Sequence, residues 1–214
     1  MRPVAYFVRH GDTDLNDKDV FRGDEDVPLN EQGRAQAANL LKFFRHNKFS
    51  RIYSSDRLRV RQTLKPLADD KGMRLIILPN IESLNTGDFT NYPKSKQNIA
   101  AIQWYSRHPD IMIPGGESFK EFRERVDPQL WMVIKTGEEA DRPVVVGVHG
   151  SILKELHRLL YGTTIPKARV ATGGVEAVFK SAHGYEAIPV LGAKDNEDVH
   201  GIRNVDASSD ENKG

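Results

Sequence analysis

The chain has 214 residues, enough for one α/β domain with a sizeable core and too few for two comfortable ones. Hydrophobic residues make up 38% and charged residues 29%, a soluble globular profile. The 31 basic and 30 acidic residues leave a net charge of +1, no global reason to expect nucleic-acid binding. There is no cysteine, which excludes disulfides, thiolate nucleophiles and Cys-ligated metals. No apolar run approaches the length that spans a bilayer. The run Val4-Ala5-Tyr6-Phe7-Val8 is too short for a secretory core, so a cytoplasmic location without membrane contact is the default expectation.

Residues 3–8 read as a buried strand. The turn Val27-Pro28-Leu29-Asn30 hands over to a helix from about Glu31 to Lys48. Asn30 suits its N-cap, and Ala37, Leu41 and Phe44 recur on one face. Arg51–Ser54 forms a short strand. A helix from about Asp56 to Asp70 follows, with a kink or break expected near Pro66 and an end at Gly72. Leu75–Leu78 is a further strand. Residues 79–116 read as irregular, apart from a helix around Gln97–Ser106 in which Trp104 and Tyr105 are expected to pack. A helix is expected from Ser118 to Thr136, although Pro128 opposes it in the middle. The β-branched run Pro143–Val148 suits a strand buried on both faces of a parallel sheet. A helix over Ile152–Tyr161 and a strand pair over Gly174–Lys180 and Tyr185–Leu191 complete the fold.

Strands alternating with helices predict a three-layer α/β/α sandwich with a mostly parallel central sheet. One domain is expected over residues 1–191. Residues 192–214, with six acidic side chains against three basic ones, read as a flexible acidic tail.

In such sheets, sites form at the carboxyl edge of the strands. Two predicted strands end alike, the first in Arg9-His10-Gly11 and the later one in His149-Gly150. Either histidine alone reads most simply as a loop residue. Two at equivalent strand ends point to a shared site, with a glycine behind each that lets backbone approach a ligand. Between residues 51 and 61 lie Arg51, Arg57, Arg59 and Arg61, mostly a solvated helix face in which one or two side chains can have a special role. They open a helix, whose N-terminus favours anions, and a guanidinium fork can bind two phosphate oxygens at once.

At this point the chain resembles the histidine phosphatase superfamily, the group that includes phosphoglycerate mutases and broad phosphatases. Residues 8–16, Val-Arg-His-Gly-Asp-Thr-Asp-Leu-Asn, resemble its "RHG-x-T-x-x-N" opening. The segment from Phe21-Arg22-Gly23 to Gly33, with Pro28-Leu29, resembles "G-x-x-D-x-P-L-T-x-x-G". Ser54-Ser55 with Arg59 and Gln62-Thr63 resembles "S-S-x-x-x-R-A-x-Q-T", and Pro114-Gly115-Gly116-Glu117-Ser118 resembles "P-G-G-E-S". Val146-Gly147-Val148-His149-Gly150 resembles the second-histidine strand. Five motifs in order, spread over roughly residues 4–190, are hard to obtain by chance.

The resemblance implies a phosphoglycerate mutase-like fold and a metal-independent phosphatase acting on a small phosphorylated substrate, with no cofactor. His10 would attack phosphorus to form a phosphohistidine. Arg9, Arg59 and His149 would hold the phosphoryl oxygens, Asn16 would add a neutral donor, and neighbouring positive charge would favour neutral His10. The family's proton donor is a Glu four residues before a glycine. Here the residue four before Gly87 is Ser83, and Glu82 is offset by one. Glu82 is the expected donor, with Asp88, Glu117 and Asp12 as other candidates. Two other readings stay open: mutase-type phosphotransfer, and a phospho-ligand binding module that has lost its acid. A phosphatase is preferred because residues 90–116 are short for a mutase insertion and carry no basic stretch ahead of paired prolines. Basic residues there (Lys94, Lys96, Arg107 and His108) could meet a second anionic group. Homodimers are common in the family, and no sequence feature marks an interface here.

Overall fold

The computed structural model describes residues 2–23, 25–163 and 168–195. Strand β1 (Pro3–Arg9) leads through α1 (Asp14–Asp17) to α2 (Glu31–Phe43), β2 (Arg51–Ser54), α3 (Leu58–Asp70) and β3 (Leu75–Ile77). A 3-10 turn (Gly87–Phe89), α4 (Lys96–Arg107), α5 (Phe119–Glu139), β4 (Val144–Val148), α6 (Gly150–Tyr161), β5 (Ala168–Ser181) and β6 (Gly184–Asp195) follow. The strands form one mixed sheet in the order β3-β2-β4-β1-β5-β6. β3, β2, β4 and β1 run parallel, whereas β5 is antiparallel to both β1 and β6.

Helices cover both faces, giving the three layers expected. Along β1 the side chains alternate. Ala5 and Phe7 face Phe122, Val126 and Leu130 of α5 and Leu156 of α6. Tyr6 and Val8 face Leu40 of α2 and Leu64 and Leu67 of α3. Fully buried Val144, Val145, Val146 and Val148 make β4 the centre of the sheet. In the same strand, Gly147 lets α3 lie close: a Cβ there would stand 2.5 Å from Val60 and 2.7 Å from Leu64.

Several boundaries differ from the sequence reading. α2 ends at Phe43, not near Lys48, because the chain turns there: Asn47 N–H donates to Phe44 O at 3.0 Å. That turn brings Phe49 back against Phe44, with ring centroids 5.1 Å apart, and Phe44 against Tyr6 at 5.0 Å. Neither internal proline ends its helix. Pro128 and Glu124, whose carbonyl would have received its missing N–H, both lie on the exposed face of α5, where water can serve that carbonyl. Pro66 sits within α3 in the same uninterrupted way. α6 begins at Gly150, directly behind His149, two residues earlier than expected. β6 continues to Asp195, so residues 192–195 are strand, and the rest of the expected tail, 196–214, lies outside the described residues. No helix among the described residues is long and apolar enough to cross a membrane.

Candidate active site

β1 and β4 are hydrogen-bonded neighbours with Arg9 beside Val148, so the histidine that follows each strand emerges at the same edge. Their ring centroids are 5.5 Å apart. The main chain of His10 is held on both sides: its N–H donates to Val148 O at 3.1 Å, and its carbonyl accepts from Gly173 N–H at 3.0 Å. Its side chain is 3% exposed. Nδ1 lies 2.7 Å from Gly11 O. A carbonyl cannot donate, so Nδ1 carries the proton and Nε2 presents a lone pair.

His149 caps the N-terminus of α6 and is buried. Its Nδ1 lies 3.3 Å from Arg59 Nη2 and its Nε2 lies 3.0 Å from Ser55 Oγ. A guanidinium only donates, so Nδ1 presents its lone pair while Arg59 faces it; Ser55 Oγ can donate as well as accept, so an anion that takes the place of this contact draws the proton to Nδ1. Arg59 is 1% exposed, and its Nη1 donates to Glu25 O at 2.8 Å. One turn on, Thr63 Oγ1 donates to Arg59 O at 2.7 Å and accepts Gly11 N–H at 2.9 Å, which ties α3 to the loop that follows His10. Arg9 donates from Nη1 to Val170 O at 2.9 Å and lies against Gly150; a Cβ on that glycine would stand 3.6 Å from the guanidinium carbon. His10, His149, Arg9 and Arg59 thus come together as the sequence reading expects.

Asn16 reaches the site differently from the expectation. Its Oδ1 accepts from Thr13 N–H at 3.1 Å, from Thr13 Oγ1 at 2.9 Å and from Arg22 Nη2 at 2.6 Å. These bonds build the short helix α1, which the sequence reading leaves as loop. They also point Asn16 at Arg22, a residue to which that reading gave no role. Arg22 Nη1 donates to His10 Nε2 at 2.9 Å. The available signal was its place directly before Gly23 in one of the recognised motifs.

Burial is the main reason the His10 imidazole titrates well below its usual 6.5. The Arg22 and Arg59 charges reinforce it, and Arg9 adds a smaller push against the opposing bond to Gly11 O. Burial likewise holds His149 low, with Arg59, His10, Arg22 and Arg57 adding to it. Arg22 itself is pushed down to about 10 by burial and by Arg9, against the opposing pull of Asp12 and Glu25. Both histidines are therefore neutral at neutral pH when folded, and more basic when unfolded. Between the folded values and 6.5 the unfolded chain binds more protons, so stability falls as pH drops through that window. Thermal melts should show Tm declining from pH 7.5 to 5. The acid limb of kcat/KM should lie below 6.5, because His10 stays unprotonated there. A rate limb at or above 6.5 would contradict this.

An open polar cleft of about 290 Å³ is lined by Arg57, Glu82, Ser83, Asn85, Glu117 and Arg125. Arg57 also acts by its charge on His149, and Ser83 meets Ser151 of α6, the helix that follows His149. Glu82 is partly exposed in this cleft, 3.9 Å from Arg125. Ser83, at the family's acid position, turns instead toward α6, its Oγ 3.0 Å from Ser151 Oγ. Glu117 is engaged elsewhere: both its oxygens take N–H groups of Arg125, at 2.8 and 2.6 Å. That guanidinium also donates to the carbonyls of Asn80, Glu82 and Ser83. Arg125 and Glu117 therefore staple the loop that presents Glu82. Asp12 is buried and takes Gln36 Nε2 at 2.7 Å. Asp88 packs against the turn at Gly115. Tyr105 packs against the core, edge-on to Phe89, as expected, whereas Trp104 is 43% exposed and stacks on His108 at the end of its own helix.

A mixed sheet whose two central strands each deliver a histidine into a cluster of arginines describes the phosphoglycerate mutase-like class of α/β proteins. The chain belongs to the histidine phosphatase superfamily, branch 1, whose family model matches residues 5–177. It is 30% identical over 185 residues to the 2,3-bisphosphoglycerate-dependent phosphoglycerate mutase of Beijerinckia indica subsp. indica, covering 81% of this chain and 89% of that one. The fold is similar to the crystal structure of phosphoglycerate mutase from Thermus thermophilus, with 28% identity and a TM-score of 0.61 over 81% of this chain and 91% of that one. It is also similar to the alpha-ribazole phosphatase of Shigella flexneri, with 20% identity and a TM-score of 0.70 over 88% and 95%. The chain is thus a member of a superfamily of phosphatases and phosphotransferases.

Proposed function

We propose that this chain is a metal-independent phosphomonoesterase working through a phosphohistidine. Nε2 of His10 attacks phosphorus, the P–N bond forms, and the P–O bond to the leaving alcohol breaks. Glu82 supplies the proton that the leaving oxygen takes up. In the second step Glu82 takes a proton from water as that water attacks phosphorus, releasing phosphate and restoring His10. Arg9, Arg59 and His149 hold the phosphoryl oxygens as charge spreads over them. The observation that carries this reading is the state of His10: Nδ1 committed to Gly11 O, Nε2 unprotonated, and the ring buried among arginines. The polar cleft lined by Arg57 and Glu82 suits a leaving group rich in hydroxyls or other polar atoms.

The mutase relatives support a second reading, in which phosphate returns to another oxygen of the same substrate. Acid-labile, base-stable label on the protein during turnover of a ³²P-labelled monoester tests the shared first step; no trapped label under rapid quench would count against it. Products then divide the readings, free phosphate for the phosphatase and an isomerised ester for the mutase. With p-nitrophenyl phosphate, turnover lost in Glu82→Gln assigns the acid, and vanadate binding with no turnover of any ester returns the chain to the binding-module reading.

A further inference from the structure

We propose that Arg22 is a third guanidinium of the phosphoryl pocket, resting on the nucleophile until a phosphate takes its place and then binding that phosphate. The inference rests on the reading of His10 as nucleophile. The N–H of Arg22 Nη1 points at Nε2 from 2.9 Å and occupies the lone pair that must attack phosphorus. Phosphorus has to come within about 3–3.5 Å of that nitrogen along much the same line. The Arg22–His10 bond and a productively bound phosphate therefore exclude one another, and binding must turn the guanidinium aside.

It has a pivot on which to turn. Nη2 is anchored 2.6 Å from Asn16 Oδ1, and Asn16 is held by the main chain and hydroxyl of Thr13. Breaking one bond leaves the other, so the cation stays beside the site. It also has unmet donors. Nε of Arg22 is buried with no hydrogen-bond partner among the described residues, and Nη1 would join it on leaving His10. A phosphoryl group on Nε2 brings oxygens to that spot, and buried N–H groups without acceptors are costly.

Arg9 and Arg59 differ, since each donates to a main-chain carbonyl, Val170 O and Glu25 O. Main chain anchors those two, whereas Arg22 donates to two side chains, His10 and Asn16. Charge supports the assignment. Burial and Arg9 both work against the Arg22 cation, and the acids Asp12 and Glu25 offset this only partly. A bound phosphate dianion would complete that balance.

Orthovanadate and inorganic phosphate serve as probes, because their binding does not require turnover. Arg22→Gln is expected to weaken vanadate binding by about 10- to 100-fold. It should also raise the titration point of His10, followed by NMR of its imidazole, since one of the cations around it (Arg9, Arg22 and Arg59, with His149 alongside) is gone. Arg22→Lys keeps the charge without the planar head, so His10 should stay low while vanadate binding still weakens. A purely structural Arg22 would lower Tm but leave His10 titrating as before in a folded Gln variant. Vanadate affinity within twofold of the parent chain in both variants, or an unmoved His10 in Arg22→Gln, overturns the inference. If the Gln variant does not fold, the Lys variant decides on vanadate affinity alone. A parent chain that neither binds vanadate nor traps label would instead sink the underlying reading.

Discussion

Replacing His10 by alanine should lower phosphate-ester turnover by about 10⁴-fold or more while vanadate binding remains measurable. The two effects separate because the site divides its work. On the proposed mechanism, attack depends on one nitrogen, whose lone pair is oriented by the Nδ1 bond to Gly11 O. Anion binding depends on Arg9, Arg59 and His149, which the substitution leaves standing. The fold should survive, because the hydrogen bonds of residue 10 to Val148 and Gly173 are made by its main chain. What is lost is the acceptor for Arg22 Nη1 and the donor to Gly11 O, an expected cost of about 1–3 kcal/mol. Turnover of p-nitrophenyl phosphate, vanadate affinity and Tm, measured on the same preparation, check this. Full activity in the alanine variant would place the nucleophile elsewhere.

Gly33→Ala should destabilise the chain by about 2–4 kcal/mol and reduce turnover with it. Helix propensity alone predicts the opposite sign, since alanine is favoured over glycine by about 1 kcal/mol inside a helix. Gly33 lies in the first turn of α2, pressed against the loop after His10. A Cβ there would stand 2.1 Å from Asp12 O and 2.9 Å from Asp12 N. These are main-chain atoms that cannot rotate away. The contact is reciprocal, for a Cβ on Gly11 would meet Gly33 O at 2.8 Å. Relief must come from moving either α2 or residues 11–12, and the latter carry the carbonyl that orients His10. Urea unfolding and steady-state kinetics should therefore shift together. A variant as stable and as active as the parent would mean that helix and loop separate freely.

The same glycine pair shows what could be read from the sequence. Gly11 and Gly33 belong to recognisable motifs, but their spacing of 22 residues does not say that they touch. His10 and His149 were legible because two strands end alike and parallel strands deliver their ends to one edge. Arg59 was legible from its motif, and its neighbours Arg51 and Arg61 are exposed as a solvated face should be. Arg22 was not legible, because its approach to His10 depends on α1, a four-residue helix set by the Asn16 side chain rather than by hydrophobic period. Nor was the engagement of Glu117, whose partner Arg125 lies two turns along the next helix and meets it only once the turn at Gly115 is folded. The end of α2 at Phe43 escaped for a related reason: Phe44 fits the helical stripe, yet it is packed by a turn that returns Phe49 to the same aromatic cluster.

His10 sits one residue beyond β1, but its main chain is still bonded on both flanks, to the end of β4 and to β5. Detaching His10 would mean prising open the middle of the sheet, so its position is as durable as the native state itself. On the proposed mechanism an arriving ester meets a nitrogen whose backbone has already given up its freedom during folding, and little ordering entropy remains to be lost at that end. The loop that carries Glu82 is tied down mostly by side chains instead, by Arg125 and Glu117 on one side and by Ser151 of α6 on the other.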